Sequence, residues 1–115
     1  MATNELSEHV LLITLPAEPQ SGNDLEMVAR STHPGSDHDV VVDFTSTELL
    51  PSATICHLIV LERVLSAAGR RLVLCGVSPK IRAVFRRVGL HNLFRFTEDQ
   101  RAAVQSLERD ESIYP

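Results

Sequence analysis

A chain of 115 residues can enclose one core but not two, and its hydrophobic fraction of 43% lies in the globular range, so residues 1–115 read as a single domain. Aromatic residues make up only 4%, which leaves Leu, Val, Ile and Ala to build the core, and the net charge of -4 argues against nucleic acid as the main ligand. The polar start Met1-Ala-Thr-Asn-Glu and the lack of any apolar run near the ~18 residues of a membrane span predict a cytoplasmic protein without membrane insertion.

The first predicted element is the apolar run His9–Leu15, closed by Pro16 and Pro19, which suits a buried strand. Pro16–Asn23 is a Pro/Ser/Gly-rich loop, Asp24–Arg30 a short helix capped by Asn23, and Ser31–His38 a second loop turning at Pro34-Gly35. Val40–Phe44 is β-branched and apolar on both faces, as expected of a central strand. Thr45–Pro51 connects it to a long helix from Ser52 to Ala68 that stops at Gly69. A strand over Arg70–Gly76 follows, then a helix with Ser78 as N-cap and Pro79 as first residue. In that helix Ile81, Val84, Phe85 and Val88 share one face, and Lys80, Arg82, Arg86 and Arg87 occupy the others. Leu93–Phe96 reads as a last short strand, and Thr97-Glu-Asp-Gln100 as a capping box opening a final helix to about Arg109, with Asp110–Pro115 loose. The core then spans about residues 9–109. Alternating strands and helices imply a largely parallel sheet of about four strands with helices packed on its face, an α/β fold.

Charge is distributed unevenly. Residues 1–62 hold ten of the fifteen acids and only Arg30 among the bases, whereas the rest of the chain holds ten bases, a field that can steer a charged partner. The basic face of the Ile81 helix could meet an acidic partner or a phosphate, or simply be solvated. Cys56 and Cys75 lie in apolar runs without CxxC spacing and read as buried thiols. His33, Asp37, His38 and Asp39 lack metal-ligand spacing on a regular element, so no metal and no cofactor is expected. Asp43, Ser52 and His57 are triad residue types, but no nucleophile elbow surrounds Ser52, and the chain does not read as an enzyme.

On a helical projection of residues 52–68, Cys56, Leu58, Val60, Leu61, Val64, Leu65 and Ala67 fill a broad arc expected to face the sheet, with His57 inside it. Ile55 and Ile59 fall outside, beside Glu62, Arg63 and Ser66, and two exposed isoleucines next to a helix-opening serine suit a partner surface. Ser52 itself can serve as a plain N-cap or as a modification site.

From Val40 to about Leu107 this order resembles the STAS domain, in particular the anti-sigma factor antagonists. The resemblance rests on strand Val40–Phe44, loop Thr45–Pro51, the helix from Ser52 to Gly69, strand Leu72–Gly76, and the block from Ser78-Pro79 through Phe85 to Gly89-Leu90. It implies a protein-binding regulator that docks on a kinase-type anti-sigma factor, a serine kinase that phosphorylates Ser52. The implied partner surface is Thr54, Ile55, Ile59, Glu62 and Arg63. Pro51, Ala53 and Thr54 stand where antagonists carry Asp, Ser and Gly, which leaves a second reading: a constitutive scaffold subunit of a stressosome-like or lipid-transport assembly. The extra N-terminal strand common in the family is expected to be short or absent.

Overall fold

The computed structural model describes residues 2–7, 10–15 and 38–113, with side chains from residue 10 to residue 108. Five strands form one sheet in the order β1-β2-β3-β4-β5: β1 (Ala2–Ser7), β2 (Val10–Thr14), β3 (Asp39–Asp43), β4 (Leu72–Cys75) and β5 (Arg95–Thr97). The last four are mutually parallel, in line with the sequence reading. β1 pairs antiparallel with β2, from Ala2 opposite Thr14 to Ser7 opposite Val10. The N-terminal edge strand is therefore present, contrary to expectation. Its sequence, Ala-Thr-Asn-Glu-Leu-Ser, has too little β-branched character to announce it, and pairing to β2 makes it a strand.

Three helices are described: α1 (Ser52–Ala67), α2 (Pro79–Arg87) and α3 (Gln100–Ile113). They cover both sides of the sheet. Val40, Val42, Leu72 and Leu74 pack with Leu58, Leu61 and Leu65 of α1 and Ile81 and Phe85 of α2. The alternate residues Val41, Val73 and Cys75 pack with Ala103 and Leu107 of α3. Period-two alternation explains the split, since a strand apolar at every position must be covered twice. Phe85 centres the first layer, meeting Phe44, Phe94 and Phe96 edge to face with ring centroids 6.3, 5.6 and 5.5 Å away. Each such contact adds about 0.5–1.5 kcal/mol to the burial itself.

Several boundaries shift. The last strand starts at Arg95 rather than Leu93, because residues 91–93 turn, with the Leu93 N–H donating to Leu90 O, and drop Phe94 against Phe85. Thr97 ends β5 and does not cap α3. Asp99 does so, accepting from Ala102 N at 2.8 Å through its side chain and from Ala103 N through its carbonyl. α3 continues to Ile113, so most of the tail expected to be loose is helical. The helix expected at Asp24–Arg30 lies outside the described residues.

Candidate functional site

The loops after β3, β4 and β5 gather at the carboxyl edge of the parallel strands, the usual place for a site in such a sheet. Asp43, the last residue of β3, organises them. Its Oδ1 accepts from Thr45 N at 2.8 Å and Thr45 Oγ1 at 2.5 Å, and its Oδ2 accepts from Gln100 Nε2 at 2.6 Å. Burial alone would raise this carboxyl's pKa, but the donors from Thr45 and Gln100 outweigh it and hold the group below its ordinary 3.8. Behind it, Cys75 is pushed up to about 12 by burial and by the charges of Asp43 and Asp99, so its thiol stays protonated.

Gly76 lies against this node with φ +66°, and a Cβ there would stand 2.3 Å from Thr45 Oγ1 and 3.0 Å from Asp43 Oδ1. The close approach explains the Gly that follows Cys75. It also fixes the turn Thr45-Ser46, and with it the segment that leads to α1.

Pro51 is the N-cap of α1, in an extended conformation (φ -63°, ψ 150°), and its carbonyl accepts from Thr54 N and Ile55 N at 3.0 and 3.2 Å. Ser52 is thus the first helical residue, not the cap. Its side chain is exposed, no side chain caps this end, and no acid sits in the first turn. The sequence pattern hides this because Pro, with its fixed φ, can precede a helix as well as open it.

The other expected partner residues separate. Thr54 is fully buried (0% exposed) and cannot meet a partner; its Oγ1 has no hydrogen-bond partner. Ile55 and Ile59 are half-buried, and Ile59 packs on the core, so they are not the solvent face predicted for them. Glu62 is half-buried and Arg63 exposed. The outward stripe is Ser52, Cys56, Val60 and Arg63, with Val60 50% exposed. Cys56 is exposed rather than buried, and His57 is half-buried, its Nδ1 2.6 Å from Ala53 O. The helix is turned by about one residue step from the expected arc. Leu49, 52% exposed in the segment before Pro51, is a further exposed apolar residue that no periodicity could reveal.

The triad types do not converge. Asp43 shares the face of β3 that α3 covers and is bonded to Thr45 and Gln100, whereas Ser52 and His57 ride on α1 over the other face. Of the loop residues His33, Asp37, His38 and Asp39, the first two lie outside the described residues, and Asp39 is committed to Arg70 Nε and Arg71 Nη2 at 3.2 and 2.9 Å. No metal-sized cluster of His, Cys, Asp and Glu occurs among the described residues, and no described helix is long and apolar enough to cross a membrane.

A model of the STAS domain family matches residues 7–103. No curated protein matches the chain. Among solved structures the fold is similar to RsbS of Moorella thermoacetica carrying a serine-to-glutamate substitution (TM-score 0.83, 15% identity, 96% of this chain and 97% of that one). It is also similar to the anti-sigma factor antagonist SpoIIAA in its unphosphorylated form (0.79, 17%, 94% and 96%). A third similar chain comes from the stressosome, described as a signal integration and transduction hub (0.75, 16%, 94% and 96%).

Proposed function

Since the chain belongs to the STAS domain family, we propose that it is a regulatory protein-binding module of the anti-sigma factor antagonist type, docking on a kinase-type anti-sigma factor and released by phosphorylation of Ser52. The observation that carries the reading is the placement of Ser52: exposed, first in α1, and relieved of capping by Pro51. A serine that caps a helix is worth about 1 kcal/mol to stability, which would explain its presence; this one has no such duty. A phosphate there meets the positive end of the helix dipole with no acid in the first turn, so α1 survives modification.

Docking would use Leu49, Cys56 and Val60 with the edges of Ile55 and Ile59, flanked by Glu62 and Arg63. Adding ~1.5 to 2 negative charges beside apolar Leu49 and Val60 costs desolvation or repels an acidic neighbour, and the complex opens. The chemistry needs no catalytic residue and no cofactor in this chain. SpoIIAA, whose fold is shared, has been solved in both unphosphorylated and phosphorylated forms.

The test is incubation with a kinase-type anti-sigma factor and ATP, followed by intact mass. Wild type should gain one phosphate and Ser52→Ala none; equal phosphate on both, or none on wild type, overturns the assignment. Pro51, Ala53 and Thr54 favour the second reading, a scaffold subunit that is never phosphorylated. That reading requires Ser52→Ala and Ser52→Glu to leave partner binding unchanged.

A further inference from the structure

From Arg63 to Thr97 the chain carries eight Lys and Arg and no Asp or Glu. Three of these cations have structural employment: Arg70 and Arg71 pair with Asp39, and Arg95 donates to Ser106 Oγ at 3.0 Å. The four on α2, Lys80, Arg82, Arg86 and Arg87, are exposed and form no ion pair with any acid among the described residues. Arg86 and Arg87 sit in the last turn, where the helix dipole favours cations. Lys80 and Arg82 sit at the opposite end, where the dipole disfavours them and the helix's own first turn holds no acid; Glu48 and Glu98 border them across open pockets without forming an ion pair. The helix dipole therefore does not account for this pair.

Arg82 is also held in place. Its guanidinium lies over the Phe96 ring, 4.9 Å from the centroid, at the wall of an open cleft of about 390 Å³ lined with Gly76, Val77, Thr97 and Glu98. Stacking fixes the plane of the fork and lowers the entropy lost when it closes on a carboxylate. Arg86 follows one turn later on the same side of the helix. Beyond the helix end, Val88 (51% exposed) and Leu93 (40%) add apolar area.

We propose that the outward face of α2 is a docking surface for an acidic segment of a partner protein, with Arg82 and Arg86 receiving its carboxylates. A short acidic segment fits because four exposed cations without an ion pair among the described residues lie within the nine residues of this one helix. The net charge of -4 repels an extended polyanion or an anionic membrane, and the half-buried Phe96 ring is already covered by Arg82. Lys80 borders Leu49 across a pocket, but the receiving residues Arg82 and Arg86 do not line it, and binding there does not depend on the function proposed for Ser52.

The experiment measures anisotropy of a fluorescein-labelled peptide of alternating Glu and Gly against the full chain at low and physiological salt. Parallel titrations use phosphatidylserine-containing vesicles and a mixed-sequence single-stranded DNA. Wild type should bind the peptide in a salt-sensitive manner, and the Arg82→Ala/Arg86→Ala variant should bind at least about tenfold more weakly. Arg82→Lys, which keeps charge but loses the planar fork, should fall between them. Arg101→Ala on α3, which packs on the other face of the sheet, should bind as wild type does, with far-UV circular dichroism confirming that each variant is folded. Absence of peptide binding by wild type, equal affinity of wild type and the double variant, or tighter binding to vesicles or DNA than to the peptide overturns the proposal.

Discussion

Replacing Gly76 with Ala tests whether the Asp43 node, rather than backbone preference, makes that position glycine. The structure supplies its own controls. Gly69 and Gly89 share the left-handed backbone (φ +73° and +79°), and a Cβ at either would meet nothing within 4 Å. Ala at those sites incurs only the left-handed penalty, about 1–2 kcal/mol. At Gly76 the same penalty applies, but the new methyl also stands 2.3 Å from Thr45 Oγ1 and 3.1 Å from Thr45 N, so Thr45 must withdraw from Asp43. Losing hydrogen bonds to a charged acceptor adds about 1.5–3 kcal/mol, giving a total of about 3–5 kcal/mol. Urea denaturation of the three single variants, compared through their midpoints at constant m, measures the difference. A Gly76→Ala cost indistinguishable from that of Gly69→Ala would refute the packing argument and leave only the dihedral one.

Thr54→Val removes a buried hydroxyl with no partner while keeping the shape, and should raise stability by about 1 kcal/mol in the same assay; a loss would mean the hydroxyl is satisfied. Asp39→Ala strands the buried sides of Arg70 and Arg71 and should cost about 3 kcal/mol, a loss that cannot be explained by a surface ion pair. For Asp43 the folded pKa is depressed, so its contribution is complete above 3.8 and disappears as pH falls through the lower folded value. The stability gap between wild type and Asp43→Asn should accordingly be widest near neutrality and close in acid; a gap that widens on acidification contradicts the assignment. In the native protein at pH 8, iodoacetamide should label Cys56 quickly and Cys75 only after unfolding, as mass mapping would show.

The parts of the fold written in local patterns were legible in the sequence. Val40–Val42 declared a strand through β-branching, and Ser78-Pro79 with Ile81 and Phe85 declared α2 through cap and period; Ser78 Oγ accepts from Ile81 N as that pattern requires. The site was less legible, because α1 is apolar over most of its circumference. With Cys56, Val60 and Val64 on one flank and Ile55 and Ile59 on the other, the hydrophobic arc has two nearly equal orientations. Packing of Leu58, Leu61 and Leu65 on the sheet selects between them and leaves Val60 outside and Thr54 inside. That selection is tertiary. β1 was missed for a related reason, since its strand character comes from the neighbour it pairs with.

The two acids at the ends of β3 show how such a tertiary choice is made firm. An aliphatic core is tolerant of small slides, because dispersion and burial carry no direction. Asp39 and Asp43 do carry direction. Both point to the α3 side of the central strand: Asp39 accepts from Arg71 N at 2.8 Å and so fixes where β4 begins, while Asp43 fixes the Thr45 turn and the first residue of α3. Arg71 in turn donates to Leu107 O at 3.2 Å, tying the far part of α3 to the Asp39 end. The helix on one face and the loop leading to Ser52 are therefore registered against the same strand by charged hydrogen bonds at both ends. Ser52, the first residue of α1, is thus placed by the sheet through that loop rather than by the residues beside it in the sequence.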